Sequence, residues 1–189
     1  MMKTDLIQIF LVSIFAMSIY AAGKKEIQIG DSFTSPDKRF TAHIIDEDQH
    51  GFNMQIRNNR TGESYKSAAS IPVLSFNWTI DSNTIVLIEH LSGGSQMTLI
   101  HFDGHKWGKP IEIDPPGGER GHYDVIREEV GKDSIRVTYK VTREKPNGMV
   151  IGAYISSFAV DPKTGQRSRV IQHDIGVDMY RRLKYEGNQ

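Results

Sequence analysis

Alternation of apolar and polar residues in paired segments is the feature that most restricts how this chain of 189 residues can fold. Apolar side chains occupy every second position from Phe40 to Ile44 and again from Phe52 to Ile56, and a polar stretch that ends in Gly51 separates them. A period of two on both sides of a short polar loop predicts a β-hairpin. The first part of the chain is therefore predicted to be antiparallel β-structure.

Two further strand pairs follow the first. Thr84–Ile88 is apolar on both faces, which predicts a central strand that is covered on both sides. The turn Ser92–Ser95 leads back into a second strand, Met97–Phe102, and a third pair comprises Ile135–Val141 and Val150–Val160. We expect an all-β fold of antiparallel sheets built from hairpins.

The third pair also permits a prediction of register. Pro146 and Gly148 suit a turn, because Pro fixes φ at one position and Gly accepts a positive φ at another. Taking Lys145–Gly148 as the loop predicts that Glu144 lies opposite Met149. Counting back along both strands then places Tyr139 opposite Tyr154, and a loop of three or five residues would shift the partners by one or more.

The turns around these pairs repeat weakly along the chain. Each pair is opened by one of three turn segments, Ser35–Phe40, Trp78–Ile85 and Val130–Ile135. Each pair is followed by one of three closing segments, Asn58–Gly62, Phe102–Gly104 and Asp161–Gly165. The opening aspartates Asp37, Asp81 and Asp133 are 44 and 52 residues apart, a spacing near that of a propeller blade.

These turns resemble those of exported β-propellers of the TolB or PD40 kind. In such repeats a Ser-Pro-Asp or Trp-Ser-x-Asp turn opens a strand and an Asp-x-x-Thr-Gly turn closes the next one. The resemblance covers residues 33–64 and 75–107 best and 130–166 less well. It implies about three blades, too few to close a ring, since propellers have ~4 or more. The fold expected is an open stack of blade-like sheets, or alternatively a β-sandwich that uses the same turn chemistry.

The N-terminus indicates export. Lys3 is followed by an uncharged apolar run from Leu6 to Ala22, which ends in small residues. These are the parts of a secretory signal peptide, so we expect residues 1–23 to be removed and 24–189 to form one domain in the periplasm or outside the cell. The alternative is retention of the run as a single membrane anchor. Its 17 residues are slightly fewer than the ~20 of a membrane-spanning helix and more than the apolar core of a typical signal peptide.

Composition excludes several kinds of protein. The chain has no cysteine, so neither disulfides nor lipid attachment at cysteine can occur. Removal of Lys3 and Asp5 with the leader leaves 22 basic and 22 acidic residues, and a neutral chain gives no electrostatic reason to expect nucleic acid as a partner.

Open blades would need cover at their edges. We therefore predict that a strand at Glu26–Ile29 pairs with a sheet edge. Separately, Ile175, Met179 and Leu183 are spaced by four, which predicts one or two helical turns between Ile175 and Lys184.

Candidate contact residues come from the aromatic side chains. Trp107 stands between His105 and Gly108 in a polar segment, which predicts that it is exposed and contacts another protein or a saccharide. His105 and Tyr123 are further candidate contact residues, and a flat face bearing Trp107 and Tyr123 would favour binding over catalysis. Trp78 is expected in the core. His101 and His105 lack the helical context that makes a spacing of four a metal site, so neither a metal nor a cofactor is predicted.

Two functions fit these features. The first is a non-enzymatic binding module, and the alternative is a hydrolase acting on an envelope or extracellular polymer. Acidic or histidine side chains converging in one cleft would favour catalysis.

Overall fold

Twelve strands make up this computed structural model, which describes residues 27–48, 51–69, 73–91, 94–114, 122–131 and 133–178. The strands are β1 Ser32–Thr34, β2 Phe40–Asp48, β3 Gly51–Asn58, β4 Ser64–Ala69, β5 Val73–Trp78, β6 Thr84–Leu91, β7 Gly94–His101, β8 Ile111–Ile113, β9 Tyr123–Val130, β10 Ile135–Glu144, β11 Val150–Val160 and β12 Ile171–Asp174. The all-β prediction is confirmed.

The strands group into three antiparallel meanders of four. Blade 1 is β1–β4, blade 2 is β5–β8 and blade 3 is β9–β12, each with its strands paired in chain order. Blades 2 and 3 form one sheet because β7 and β9 meet side by side in parallel. Within the described residues the strand pairing between the two blades is a single β-bridge, Gly94 to Tyr123.

The three blades stack as layers with blade 2 in the middle. Alternate residues of β6 point in opposite directions. Ile85 and Leu87 pack with the apolar face of blade 1, whereas Val86 and Ile88 pack with blade 3. All four side chains are at most 3% exposed. The predicted central strand is therefore confirmed, and the architecture is an open stack of blades rather than a two-layered sandwich.

The repeated opening turns have one shared structure in blades 1 and 2. In blade 1 the Ser35 hydroxyl donates to Asp37 and accepts the amide of Phe40. In blade 2 Thr79 does the same with Asp81 and Thr84. The fourth residue of each turn has a positive φ, 64° at Lys38 and 61° at Ser82. The third opening turn is different, with the amide of Gly131 donating to the carbonyl of Ser134.

The closing turns repeat in the same way. The Asn58 side chain accepts the amides of Arg60 and Thr61, and the Asp161 side chain accepts those of Lys163 and Thr164. Each turn ends in a glycine with a positive φ, and the amide of that glycine donates to the carbonyl of the first residue. The weak repeat in the sequence thus corresponds to repeated hydrogen bonding.

The predicted register of the β10–β11 hairpin was wrong by two residues. Tyr139 pairs with Ser156 rather than with Tyr154, which pairs with Val141. Five residues, from Lys145 to Met149, connect the strands, and an irregularity next to Glu144 adds one more. Each of these two changes shifts the pairing by one residue. A total shift of two leaves every side chain on the face of the sheet that was predicted for it. Tyr139 and Tyr154 therefore still lie on the same side of the sheet.

The strand predicted at Glu26–Ile29 was also wrong in its described part. Residues 27–30 are not in a strand, because the chain turns at Gly30, whose φ is +92°. Ile27 is instead buried in the core between blades 1 and 2, at 6% exposure. The edge of β2 is covered by the following segment, β1. Glu26 lies outside the described residues, as does the predicted C-terminal helix beyond the helical residues 176–178.

Candidate binding surface

The stack has two chemically different ends. The opening and closing turns lie together at one end, which we call the turn end. The β2–β3, β6–β7 and β10–β11 hairpins lie at the other end, which we call the hairpin end. This division follows from antiparallel meanders, in which alternate connections return to the same side.

Polar groups at the turn end are largely used in holding the blades together. The Arg39 guanidinium donates to the side chain of Asn83 at 2.8 Å and to the carbonyl of Asp81 at 3.2 Å, which links the opening turns of blades 1 and 2. The Thr84 hydroxyl donates to the carbonyl of Pro162 in blade 3 at 3.3 Å. Burial raises the pKa of Asp81, but hydrogen bonds from Thr79 and Asn83 outweigh it and hold that pKa below its ordinary value. This carboxylate therefore stabilises its turn.

Trp107 is buried, so the prediction that it is exposed was wrong. It is 8% exposed and lies in a cluster of rings, 5.1 Å from Phe40 and 5.9 Å from Trp78 between centroids. The polar neighbours that suggested exposure form a tight turn, in which Asp103 accepts the amides of His105 and Lys106. The turn brings Trp107 back beside Phe102, and the two residues form an isolated antiparallel β-bridge.

The three candidate contact residues do not share one surface. His105 is exposed at the turn end, next to the buried Trp107. Tyr123 is half-buried at the hairpin end, where it packs on the core between blades 2 and 3. The length of β7, eight residues or about 25 Å, separates these positions. A flat face bearing both Trp107 and Tyr123, which would have favoured binding, is therefore not present, and contact roles for His105 and Tyr123 stay predictions.

Exposed apolar side chains are concentrated on blade 3. Among the described residues the exposed large hydrophobics are Ile29, Ile80, Met149, Ile151 and Ile171. Three of these five, Met149, Ile151 and Ile171, belong to the β10–β11 turn, β11 and β12 of blade 3. Ile171, at 58% exposure, stands directly beside Ser157 of the neighbouring strand.

The edge strand β12 is the most accessible element of this blade. All four of its residues are exposed, and it is the last strand on its side of the sheet among the described residues. The chain beside it stays close to β11 in both directions, because Arg167 bridges to Val160 and the amide of Ile175 donates to the carbonyl of Ala153. The sequence analysis did not predict β12, because a segment with one apolar residue in four shows no alternation of apolar and polar residues. The Asp161–Gly165 turn before it was the available clue.

A shallow groove of about 270 Å³ lies beside the closing turn of blade 3. Its polar lining includes Asp133, Asp161 and Arg167. The guanidinium of Arg167 lies 5.6 Å from the Phe158 ring centroid and donates to the carbonyl of Asp114 at 2.9 Å. The groove therefore presents both signs of charge close to the start of the β12 edge.

Two further properties concern the described part of the chain. In that part, no three His, Asp or Glu side chains are placed so that they could hold a metal ion. No helix there is both long enough and apolar enough to cross a membrane.

No protein-family model matches this chain, and no curated protein matches it. Solved structures do match. They include an acylaminoacyl peptidase from Pyrococcus horikoshii, with a TM-score of 0.48 and 9% identity over 84% of this chain and 26% of that chain. The β-propeller domain of the Trilobed protease from Pyrococcus furiosus, described as having an open velcro topology, has a TM-score of 0.42 and 12% identity over 80% of this chain and 57% of that chain.

A TolB candidate from Agrobacterium tumefaciens has a TM-score of 0.38 and 11% identity over 81% of this chain and 53% of that chain. The chain thus spans between 26% and 57% of the lengths of these three structures. Propeller and TolB structures are the kinds of protein that the sequence resembles. The blade architecture itself is established by the strand pairing described above.

Proposed function

We propose that this chain is an exported, protein-binding module whose docking element is the β12 edge of blade 3. The observation that carries the proposal is an edge strand with four exposed residues and an accessible Ile171. Outer edges of sheets present backbone N–H and C=O groups that can pair with another chain. An extended segment of a partner could therefore add to β12 as a further strand, with main-chain hydrogen bonds giving affinity.

Specificity would come from side chains that flank this edge. Ile171 offers an apolar contact for one side chain of the added segment. The groove beside Arg167 offers a polar contact at the turn end. A partner segment that places an apolar residue beside Ile171 and a charged residue near Arg167 fits both features. A saccharide partner has less support, because that interpretation depended on an exposed Trp107.

Binding can be tested with the mature chain and a library of displayed linear peptides. Peptides selected on the mature chain should lose at least tenfold in affinity for the Ile171→Lys variant. They should keep their affinity for the Ile80→Lys variant, because Ile80 is equally exposed at 62% but belongs to the opening turn of blade 2. Bound peptide should also slow hydrogen exchange at Ile171–Asp174. Equal binding to both variants would refute the assignment of this edge.

Export is part of the proposal and has its own test. The uncharged run Leu6–Ala22 and the small residues at its end support cleavage near Gly23. The intact mass of the protein recovered outside the cytoplasm should correspond to a chain that starts at or within two residues of Lys24. A mass that includes Met1, with the protein in the membrane fraction, would support the anchor instead.

A further inference from the structure

Backbone groups of β12 alternate between the side that faces β11 and the side that faces away from it. The amide of Ile175 donates to the Ala153 carbonyl of β11 at 3.0 Å, so the odd-numbered residues of this segment bond to β11. The amide of Thr142 is directed to the β9 side of β10, and following the alternation from there through β11 gives the same assignment. The N–H and C=O groups of Gln172 and Asp174 therefore point away from β11.

Side chains alternate along the same edge. Val170 packs on the core between blades 2 and 3, so its neighbours Arg169 and Ile171 point to the outward face of blade 3, the face turned away from blade 2. His173 follows on that face, and all three of these side chains are exposed. The edge thus presents a guanidinium, an aliphatic side chain and an imidazole at alternate positions over roughly 13 Å.

Two acidic side chains of the outward face lie far from this edge. Asp124 and Glu129 are on β9, three strands or roughly 14 Å from β12. They form ion pairs with Lys140 and Arg127 respectively. Asp174 is closer, but it alternates with the outward residues and its carboxylate accepts a backbone amide at 2.8 Å. A carboxylate brought from outside to the outward side of the edge would therefore be attracted to Arg169.

We propose that the partner of the β12 edge is an extended acidic segment, in which an apolar residue has an acidic residue two positions before it and another two positions after it. The apolar side chain contacts Ile171, and the two carboxylates accept hydrogen bonds from Arg169 and His173. The partner's backbone bonds to Gln172 and Asp174. This pattern reads the same in both chain directions, so it holds for parallel and antiparallel pairing. The inference rests on the proposed function and adds to it the chemical class of the partner.

Charge reversal at Arg169 tests the acidic class. Peptides selected on the mature chain from a random displayed library should carry the acidic–apolar–acidic pattern. A synthetic peptide of their consensus should bind Arg169→Glu at least about fivefold more weakly than wild type at low ionic strength. Arg60→Glu is the matched control, because Arg60 is also exposed but belongs to the closing turn of blade 1, and it should bind like wild type. A peptide with lysine in place of both acidic residues should prefer Arg169→Glu to wild type.

Hydrogen exchange followed residue by residue with NMR tests the backbone part. At a peptide concentration that leaves about one-tenth of the protein free, exchange at the amides of Gln172 and Asp174 should slow by about tenfold. The amides of Ile171 and His173 already bond to β11, so their exchange should change less. A larger change at Ile171 and His173 would overturn the assignment of the free backbone groups.

The outcomes separate this inference from the function on which it rests. Loss of binding in Ile171→Lys together with unchanged binding in Arg169→Glu would keep β12 as the docking element and refute the acidic partner. Unchanged binding in Ile171→Lys would refute the docking element itself. Selected peptides with basic residues at the two flanking positions would also refute the acidic class.

Discussion

Replacement of Gly94 by alanine should show how much the bridge between blades 2 and 3 contributes to the stability of the protein. Gly94 has a φ of +129°, and a Cβ added to it would lie 1.9 Å from the carbonyl oxygen of Tyr123. Carbon and oxygen cannot approach so closely, so one strand must move. The neighbour is backbone, and no side-chain rotation can relieve the clash.

The expected magnitude has two parts. An alanine at a positive φ costs roughly 1–2 kcal/mol relative to glycine. Displacing the backbone at the bridge would add the loss of one or two net hydrogen bonds, each worth about 0.5–1.5 kcal/mol. We therefore expect a total of about 2–4 kcal/mol. For a domain of this size, 1 kcal/mol corresponds to about 2–4 °C, so the melting temperature should fall by roughly 5–15 °C.

Gly62→Ala is the matched control. Gly62 also has a positive φ, +79°, but an added Cβ there would meet nothing within 4 Å. That variant should show only the backbone strain, roughly 2–8 °C. The assay is thermal unfolding of the mature chain followed by circular dichroism, with hydrogen exchange at Tyr123 as a local measurement. Equal melting temperatures for the two variants would show that the close approach at Gly94 does not contribute to stability.

Further predictions concern Asp161 and two tyrosines. Hydrogen bonds from the backbone amides of Thr164 and Lys163 hold the pKa of Asp161 below its ordinary value. The charged carboxylate therefore stabilises the folded state above about pH 4. That stability is lost as the pH falls through the folded-state pKa. Asp161→Asn, which copies Asn58 of blade 1, should keep the turn but reduce the loss of stability as the pH falls below about 4. Asp161→Ala should lower stability by about 1 kcal/mol at pH 7 in a urea titration, and identical acid profiles for wild type and Asp161→Asn would contradict this. The Tyr139 hydroxyl is fully buried, approaches the backbone of Met97, and has no hydrogen-bond partner among the described residues, so Tyr139→Phe should be neutral or stabilising by up to about 2 kcal/mol. Tyr65→Phe removes a hydrogen bond to the carbonyl of Gly108 and should destabilise by about 1 kcal/mol, and the opposite order of the two urea midpoints would refute the reasoning.

The turn chemistry was the part of the fold that could be predicted most reliably. Ser35 and Asp37 bond to amides within a few residues, so the structure they form depends mainly on their own short segment. Alternation along β10 identified its buried face for the same reason, because the side-chain period of a strand is local. The register did not follow from the pattern, since the irregularity next to Glu144 changes the pairing without changing which residues are apolar.

The candidate contact residues show the limit of local reasoning more clearly. His105, Lys106 and Gly108 made the surroundings of Trp107 look solvent-exposed. The ring is nevertheless buried, because Phe40 and Trp78 approach it from distant parts of the chain. Nothing in the sequence shows at which end of a stack a residue lies, so the separation of Tyr123 from Trp107 could not be predicted.

The sequence by itself therefore determined the central strand pair of each blade, the opening turns of blades 1 and 2 and the buried face of β10, each of which depends on residues close together in the chain. Only the tertiary structure decided which blade covers each side of blade 2, that Trp107 is inside, and that β12 is the last strand on its side of the sheet among the described residues. Those outcomes depend on which surfaces meet. Burial of an apolar face stabilises the fold almost regardless of the partner's sequence, so local patterns specify the face and leave the partner open.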